Sequence, residues 1–364
     1  MDINNKARNR KIFRMGFLIL LIFIIRVFSV NAQWIENIYS THIYVFFSLL
    51  LRIIFGWIPF SVGDIFYFLV IVWFIWKAWQ FLNKLFKRKI NKNWFKRAGY
   101  KLLISAMVVY IIFNITWGLN YNRKSIAGQL NLQVLKKDTA ALKIIQILLL
   151  QKVNESKQAL INQHVTYPSN KELFQRAFMC YQQSEKMYPF LNYKNVSVKS
   201  SLYRWWGNYF GFTGYYNPFS GEAQVNTSVP KFILPYTTTH EIAHQLGFAK
   251  EEEANFAGYL AATSSADTLF HYSAYLDLFV YANRELFFVD SLSAKNAAKQ
   301  LLPEVKADIK EWREFLLSHK NPIEPFIRWA YGSYLKANQQ PKGLNSYDEV
   351  IADLIAFYKK KGRI

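Results

Sequence analysis

The chain has 364 residues, 52% of them hydrophobic and 18% aromatic, with a formal net charge of +21. That length accommodates two ordinary domains, and the composition fits a membrane protein with an attached soluble part better than a plain cytosolic enzyme. The single cysteine, Cys180, excludes an internal disulfide framework and any cysteine-based zinc site.

The charge is concentrated at the start: residues 1–118 hold 16 basic and 3 acidic side chains. These cations flank apolar runs and do not line a groove beside stacking aromatics, so membrane topology explains them and no nucleic-acid partner is expected. MGFLILLIFIIRVFSV (15–30) follows Lys6, Arg8, Arg10, Lys11 and Arg14 and reads as a first span with a cytoplasmic N-terminus. A cleaved signal peptide is the alternative, and either way residue 33 lies outside. DIFYFLVIVWFIWKAWQFL (64–82) and GYKLLISAMVVYIIFNITWGL (99–119) are the second and third spans. The loop between them, NKLFKRKINKNWFKR, carries seven positive charges and no negative one, which places it in the cytoplasm. IYVFFSLLLRIIFGWI (43–58) is apolar apart from Arg52. Were it a fourth span, the basic loop would face outward, so it reads as an interfacial or re-entrant helix. Residues 1–119 therefore form a membrane domain with three transmembrane helices, and 120–364 an extracytoplasmic domain.

Beyond residue 120 no apolar run is long enough to span. Helices are expected over 139–163 and 172–188. Residues 190–235 hold clustered Gly, Pro, Asn and Thr; SVKSSLYRWW and GEAQVNTSVPKFI alternate as strands do, around the turn-rich GNYFGFTGYYNPFSG. Helices resume at 239–246, 251–265, 270–289 and 303–318, and a last one runs over about 346–360. The soluble part is α+β, mostly helical with a small sheet.

TTTHEIAHQLGFAKEEEAN (237–255) carries the chemistry. On a helix, residues four apart share a face one turn apart, so His240 and His244 can offer two nitrogens to one zinc ion. Glu241 stands one step round, where a carboxylate reaches an attacking water as general base without being a ligand. Thr237 to Thr239 are expected to cap the helix start, and Gly247 to end it with a left-handed residue. A catalytic zinc site needs a third protein ligand and one open position.

The pattern resembles the gluzincin metallopeptidases, whose third ligand is a glutamate opening a later helix in an ExxA(D/N) run. By that resemblance Glu251 is the third ligand and Asn255 supports the first histidine, with Glu253 a competitor for the ligand role. Lys250 stands where the metzincin pattern has a third histidine, which argues against that relation. At finer grain, three N-terminal spans, GYYNPFSGEAQVN and HEIAHQLGFAKEEEANF together resemble a bacterial membrane family, domain of unknown function 3810. This implies a zincin-like domain anchored in the bacterial inner membrane and facing the periplasm or cell exterior.

The expected activity is hydrolysis of peptide bonds in envelope proteins or peptides, with zinc as cofactor and the lipid bilayer as a second partner. The alternative is a catalytically silent zincin-like scaffold, against which the intact Glu241 argues. Tyr331, Tyr334, Tyr347 and His271 are candidates to stabilise the oxyanion, Tyr347 preferred because it opens the last helix. Zincins pair an edge strand with substrate. By that resemblance Glu222, Ala223, Gln224, Val225 and Asn226 are either such a substrate rail or an ordinary strand.

Overall fold

A computed structural model describes residues 3–134 and 138–364. Among the described residues, four N-terminal helices are long and apolar enough to cross a membrane. They are α1 (Ile3–Ser29), α2 (Ala32–Phe55), α3 (Val62–Phe86) and α4 (Lys92–Thr116). Side-chain caps define two of the starts: Ser61 Oγ accepts from the Asp64 N–H, and the Asn91 side chain accepts from the Trp94 N–H. α1 packs along α4. Elsewhere α1, α3 and α4 turn apolar side chains such as Phe23, Phe74 and Leu102 outward, as lipid-facing helices do.

α2 behaves differently. It is wound as a π-helix over Ile35–Ile43 and as an α-helix over Tyr44–Phe55. One stripe of it (Glu36, Ser40, Tyr44, Ser48, Arg52) is buried, while Phe46, Leu50 and Ile53 on the other side are exposed. The stripe is clamped along its whole length to residues beyond the spans. Glu36 pairs with Arg123 at 2.8 Å, Ser40 Oγ donates to Asn120 Oδ1 at 2.8 Å, and Tyr44 and Ser48 donate to the Gln245 carbonyl at 3.0 and 3.1 Å. The Arg52 guanidinium lies 5.0 Å from the centre of the Tyr193 ring. The helix expected at 43–58 thus starts eleven residues earlier and has a protein-facing side throughout.

The remaining elements follow in chain order: α5 (Thr139–Asn162), α6 (Asn170–Ser184), β1 (Val198–Ser200), α7 (Arg204–Phe210), β2 (Gly214–Asn217), β3 (Glu222–Val225), α8 (Leu234–Gln245), α9 (Glu251–Ser264), α10 (Thr268–Val289), α11 (Ser291–Lys299), α12 (Pro303–Ser318), α13 (Glu324–Ala337) and α14 (Val350–Lys361). α10 packs along α5, α8 along α9, and α6 and α14 against α9. Tyr181, Phe248, Phe256 and Phe270 are fully buried among them. Each such side chain contributes about 1.5–3 kcal/mol by leaving water.

The sheet has three strands in the order β1-β3-β2, with β1 parallel and β2 antiparallel to β3. β2 falls in the stretch that reads from sequence as turn-rich; pairing of Gly214–Asn217 with β3 overrides its glycine and asparagine content. The strand expected through SVKSSLYRWW ends at Ser200, because Asp64 Oδ2 accepts the Leu202 N–H and the chain turns into α7. Helices α11 and α13 were not anticipated. A second buried cluster joins Leu18, Ile25, Ile35, Tyr39, Ile104 and Ile111 of the N-terminal helices to Trp117, Leu119, Tyr121 and Ala249. The boundary expected at 119/120 therefore separates residues that pack together.

Candidate metal centre

α8 begins earlier than its threonines imply. Pro235 occupies its first turn, and Thr238 and Thr239 return hydrogen bonds to the Leu234 and Tyr236 carbonyls from inside the helix. The expected capping role of Thr237 to Thr239 is thus corrected: they lie one turn too deep. Gly247 does end the helix, at φ +84°. α9 then starts at Glu251, whose N–H donates to Gln340 Oε1 at 3.0 Å. The two helices cross closely because Gly258 has no side chain; a Cβ there would lie 3.0 Å from the His240 backbone nitrogen.

This crossing brings three ligand-capable groups to one point. His240, His244 and Glu251 are buried, and one ligand atom from each lies within 4.8 Å of the others. His240 Nε2 and His244 Nε2 stand 3.3 and 3.5 Å from Glu251 Oε2. The imidazole rings are 4.7 Å apart and perpendicular. Each imidazole is held from behind: His240 Nδ1 by Asn255 Oδ1 and His244 Nδ1 by the Phe248 carbonyl, both at 2.7 Å. Both partners accept, so each Nδ1 carries a proton and donates it. Glu253, the competing carboxylate, points away and accepts the Ile126 N–H at 2.7 Å.

The donor set fits a tetrahedral zinc ion. Bonds of about 2.0–2.1 Å at tetrahedral angles space ligand atoms about 3.4 Å apart, which is the spacing Glu251 keeps from both imidazoles. Glu251 Oε2 is buried without a hydrogen bond of its own, a costly state for a carboxylate oxygen unless a cation takes it up. Burial works against its charge, but His244 and His240 together hold its pKa well below the usual carboxylate range. His244 responds in kind: burial opposes its charged form, yet Glu251 outweighs this and raises its pKa to about 9.

Glu241 lies beside the cluster. Its Oε2 is buried and unpartnered, and burial pushes its pKa up to about 7 against the pull of the two histidines. Gly214, the first residue of β2, leaves room for it: a Cβ at 214 would come within 2.5 Å of Glu241 Oε1. Tyr331 OH donates to Glu251 Oε1 at 2.7 Å and meets Tyr347 OH at 3.1 Å, and the Tyr347 ring stacks on His240. Burial raises both phenols well above their usual range, so both hydroxyls remain donors. Tyr347 belongs to a 3₁₀ segment, Gly343–Glu349, ahead of the last helix, which starts at Val350.

The other expected residues lie elsewhere. Tyr334 bonds Tyr121, and His271 bonds the Ser265 carbonyl. β3 is the central strand, with Ala223–Val225 paired to β1 and Glu222–Val225 to β2. Its ladder is filled on both sides, so of the two readings of Glu222, Ala223, Gln224, Val225 and Asn226 the pairing matches the ordinary strand and leaves no free edge for a substrate rail. Glu222 instead receives the Val62 and Gly63 N–H groups at the start of α3. Sequence reasoning missed Gly214 and Gln340, and also Trp117 and Tyr44 from the membrane part. The Trp117 ring meets His244 edge-on at 6.0 Å. Tyr44 lies in the four-residue polar spacing of α2, which was a readable signal.

No curated protein and no solved structure matches the chain. The sequence profile of the family described as protein of unknown function DUF3810 matches residues 39–355, from the polar-striped α2 into α14, and the chain belongs to that family.

Proposed function

We propose that the protein is a zinc-dependent metallopeptidase with a zincin-like catalytic domain, anchored in the bacterial inner membrane and hydrolysing peptide bonds of envelope proteins or peptides. The observation that carries this reading is the spacing of His240 Nε2, His244 Nε2 and Glu251 Oε2 beside the buried, unpartnered Glu241. These three side chains would hold the ion, and Asn255 and the Phe248 carbonyl would keep the imidazoles aimed at it. Zinc supplies a Lewis acid for the scissile carbonyl and acidifies the attacking water. Glu241 takes the water proton at its free oxygen and delivers it to the leaving amine, a role open to a buried carboxylate oxygen that no other group engages. The Tyr347 hydroxyl donates to the carbonyl oxygen as negative charge develops there, while Tyr331 keeps its proton on Glu251 Oε1. β2, an edge strand that begins against Glu241, offers its backbone to an extended peptide in place of the central β3.

Three crossings, by α1, α3 and α4, account for the chain better than four. α2 is held at both ends and between by residues beyond the spans, and the basic loop between α3 and α4 marks the cytoplasmic side. The catalytic part then faces the periplasm or cell exterior.

Metal analysis of the full chain purified in detergent tests the centre. About one zinc per chain is expected, lost in His240→Ala and retained in Glu241→Gln, which hydrolyses no peptide. Zinc occupancy unchanged by His240→Ala would refute the site, and full hydrolysis by Glu241→Gln would refute the base.

A further inference from the structure

α7 and α13 carry large apolar side chains that nothing in the fold covers. Trp205 and Trp206 are 55% and 54% exposed, and Phe326 and Trp329 are 65% and 67% exposed. The two helices are neighbours: Asn321 Nδ2, in the turn before α13, donates to the Tyr209 carbonyl of α7 at 2.6 Å. Both are tied to the ends of candidate spans. The Leu202 N–H and Tyr203 OH, leading into α7, donate to Asp64 Oδ2 and the Asp64 carbonyl at 2.7 and 2.9 Å, in the first turn of α3. Tyr334 of α13 bonds Tyr121 at 3.0 Å, five residues after the end of α4. The aromatic face is thus hung from the points where two helices leave the hydrocarbon.

Its chemistry matches that level. Tryptophan is enriched where membrane meets water, because the ring is apolar and its N–H seeks a polar partner. Cations accompany the rings: Arg204, Lys320 and Arg328 are exposed, and Glu324 is the sole acidic residue in 319–340. Basic side chains beside an apolar face are attracted to anionic headgroups. A patch of this kind left in water would be an aggregation liability.

We propose that the face formed by Trp205, Trp206, Phe326 and Trp329 is seated in the headgroup layer of the bilayer that the N-terminal helices cross, with anionic phospholipid as its partner. The same helix α13 turns Tyr331 inward to Glu251, so the lipid seat and the candidate metal centre share one rigid element. The proposal does not depend on the protein being a peptidase.

Spin labels test it in the full chain, reconstituted in nanodiscs of phosphatidylethanolamine and phosphatidylglycerol. Cys180 is buried, so single labels at Trp206→Cys and Phe326→Cys report alone. A control label at Gln151→Cys stands on α5, which packs on α10, α12 and α14. Labels 206 and 326 are expected to collide more with oxygen than with a polar nickel chelate, and label 151 the reverse. Labels 206 and 326 that favour the nickel chelate would overturn the proposal. Labels shielded from both reagents would also overturn it, since a protein partner then covers the face. A second measurement needs no label: brominated phospholipid quenches the native tryptophans, and Trp205→Phe/Trp206→Phe/Trp329→Phe must reduce the quenched fraction. Quenching unchanged by that substitution would again be contrary to the seat.

Discussion

A buried carboxylate oxygen without a hydrogen-bond partner is costly, and this site contains two, on Glu241 and Glu251. Their positions were legible to different degrees. The four-residue spacing of His240 and His244 dictates a shared helical face, and Glu251 and Asn255 fall in register with it once Gly247 breaks the helix. Gly214 was not legible, since its contact with Glu241 depends on strand pairing across residues distant in sequence. Two predictions belong to this scale. Asn255→Ala removes the acceptor that holds His240 Nδ1, and zinc affinity measured against a competing chelator should fall about 10–100-fold. Gly214→Ala drives a methyl group into Glu241 Oε1, so turnover should fall while zinc content stays at the native level. Loss of zinc in Gly214→Ala would show that the residue supports the metal ligands and not the base.

At the scale of elements, the long helices were readable because their periodic apolar faces and side-chain caps are local. α5 starts after Asp138, whose side chain accepts the Ala141 N–H, and α12 runs over the expected 303–318. Of the strands, β1 and β3 fall within the two alternating stretches, whereas β2 was not readable, because Gly214–Asn217 gains its conformation from β3 and not from its own composition. The junction of α9 and α14 holds a further consequence of packing. Asp353 is buried against Glu252 and Glu253, and burial with those neighbouring charges raises its pKa well above the ordinary value. Glu253 is raised as well, chiefly by burial. A carboxyl whose folded pKa exceeds its unfolded value keeps its proton longer in the native state. The native state then binds more protons, and stability falls as pH rises from about 4 through the folded pKa. Each proton held contributes a slope of about 1.4 kcal/mol per pH unit across that window. Asp353→Asn cannot ionise, so its unfolding midpoint should decline less than that of the native chain between pH 5 and 8. Parallel declines in the two proteins would remove Asp353 as the source.

For the molecule as a whole, the decisive contacts cross from the N-terminal helices to the candidate site. Hydropathy marks α2 as apolar, and only its stripe at Glu36, Ser40, Tyr44, Ser48 and Arg52 betrays that one face is spoken for by protein. What that face touches cannot be read from the chain, because Gln245 lies about two hundred residues further on. Tyr44 and Ser48 satisfy the Gln245 carbonyl at the end of α8, Glu36 pairs with the buried Arg123, and Glu222 accepts from the backbone N–H groups of Val62 and Gly63. Removing residues 1–119 would strip these partners at once, take Trp117 and Leu119 away with them and uncover Tyr121 and Ala249. Each buried donor or acceptor left alone costs about 1–3 kcal/mol, more where charged, and a domain of this size has only about 5–15 kcal/mol to lose. The isolated segment 120–364 should therefore aggregate or melt without a cooperative transition, while the full chain in detergent melts cooperatively. Supplying residues 1–119 as a separate chain in the same cells should restore a membrane-bound, detergent-extractable complex that binds zinc and melts cooperatively. A monomeric 120–364 that melts cooperatively would show that the membrane helices are an anchor alone and contribute nothing to the shape of the site.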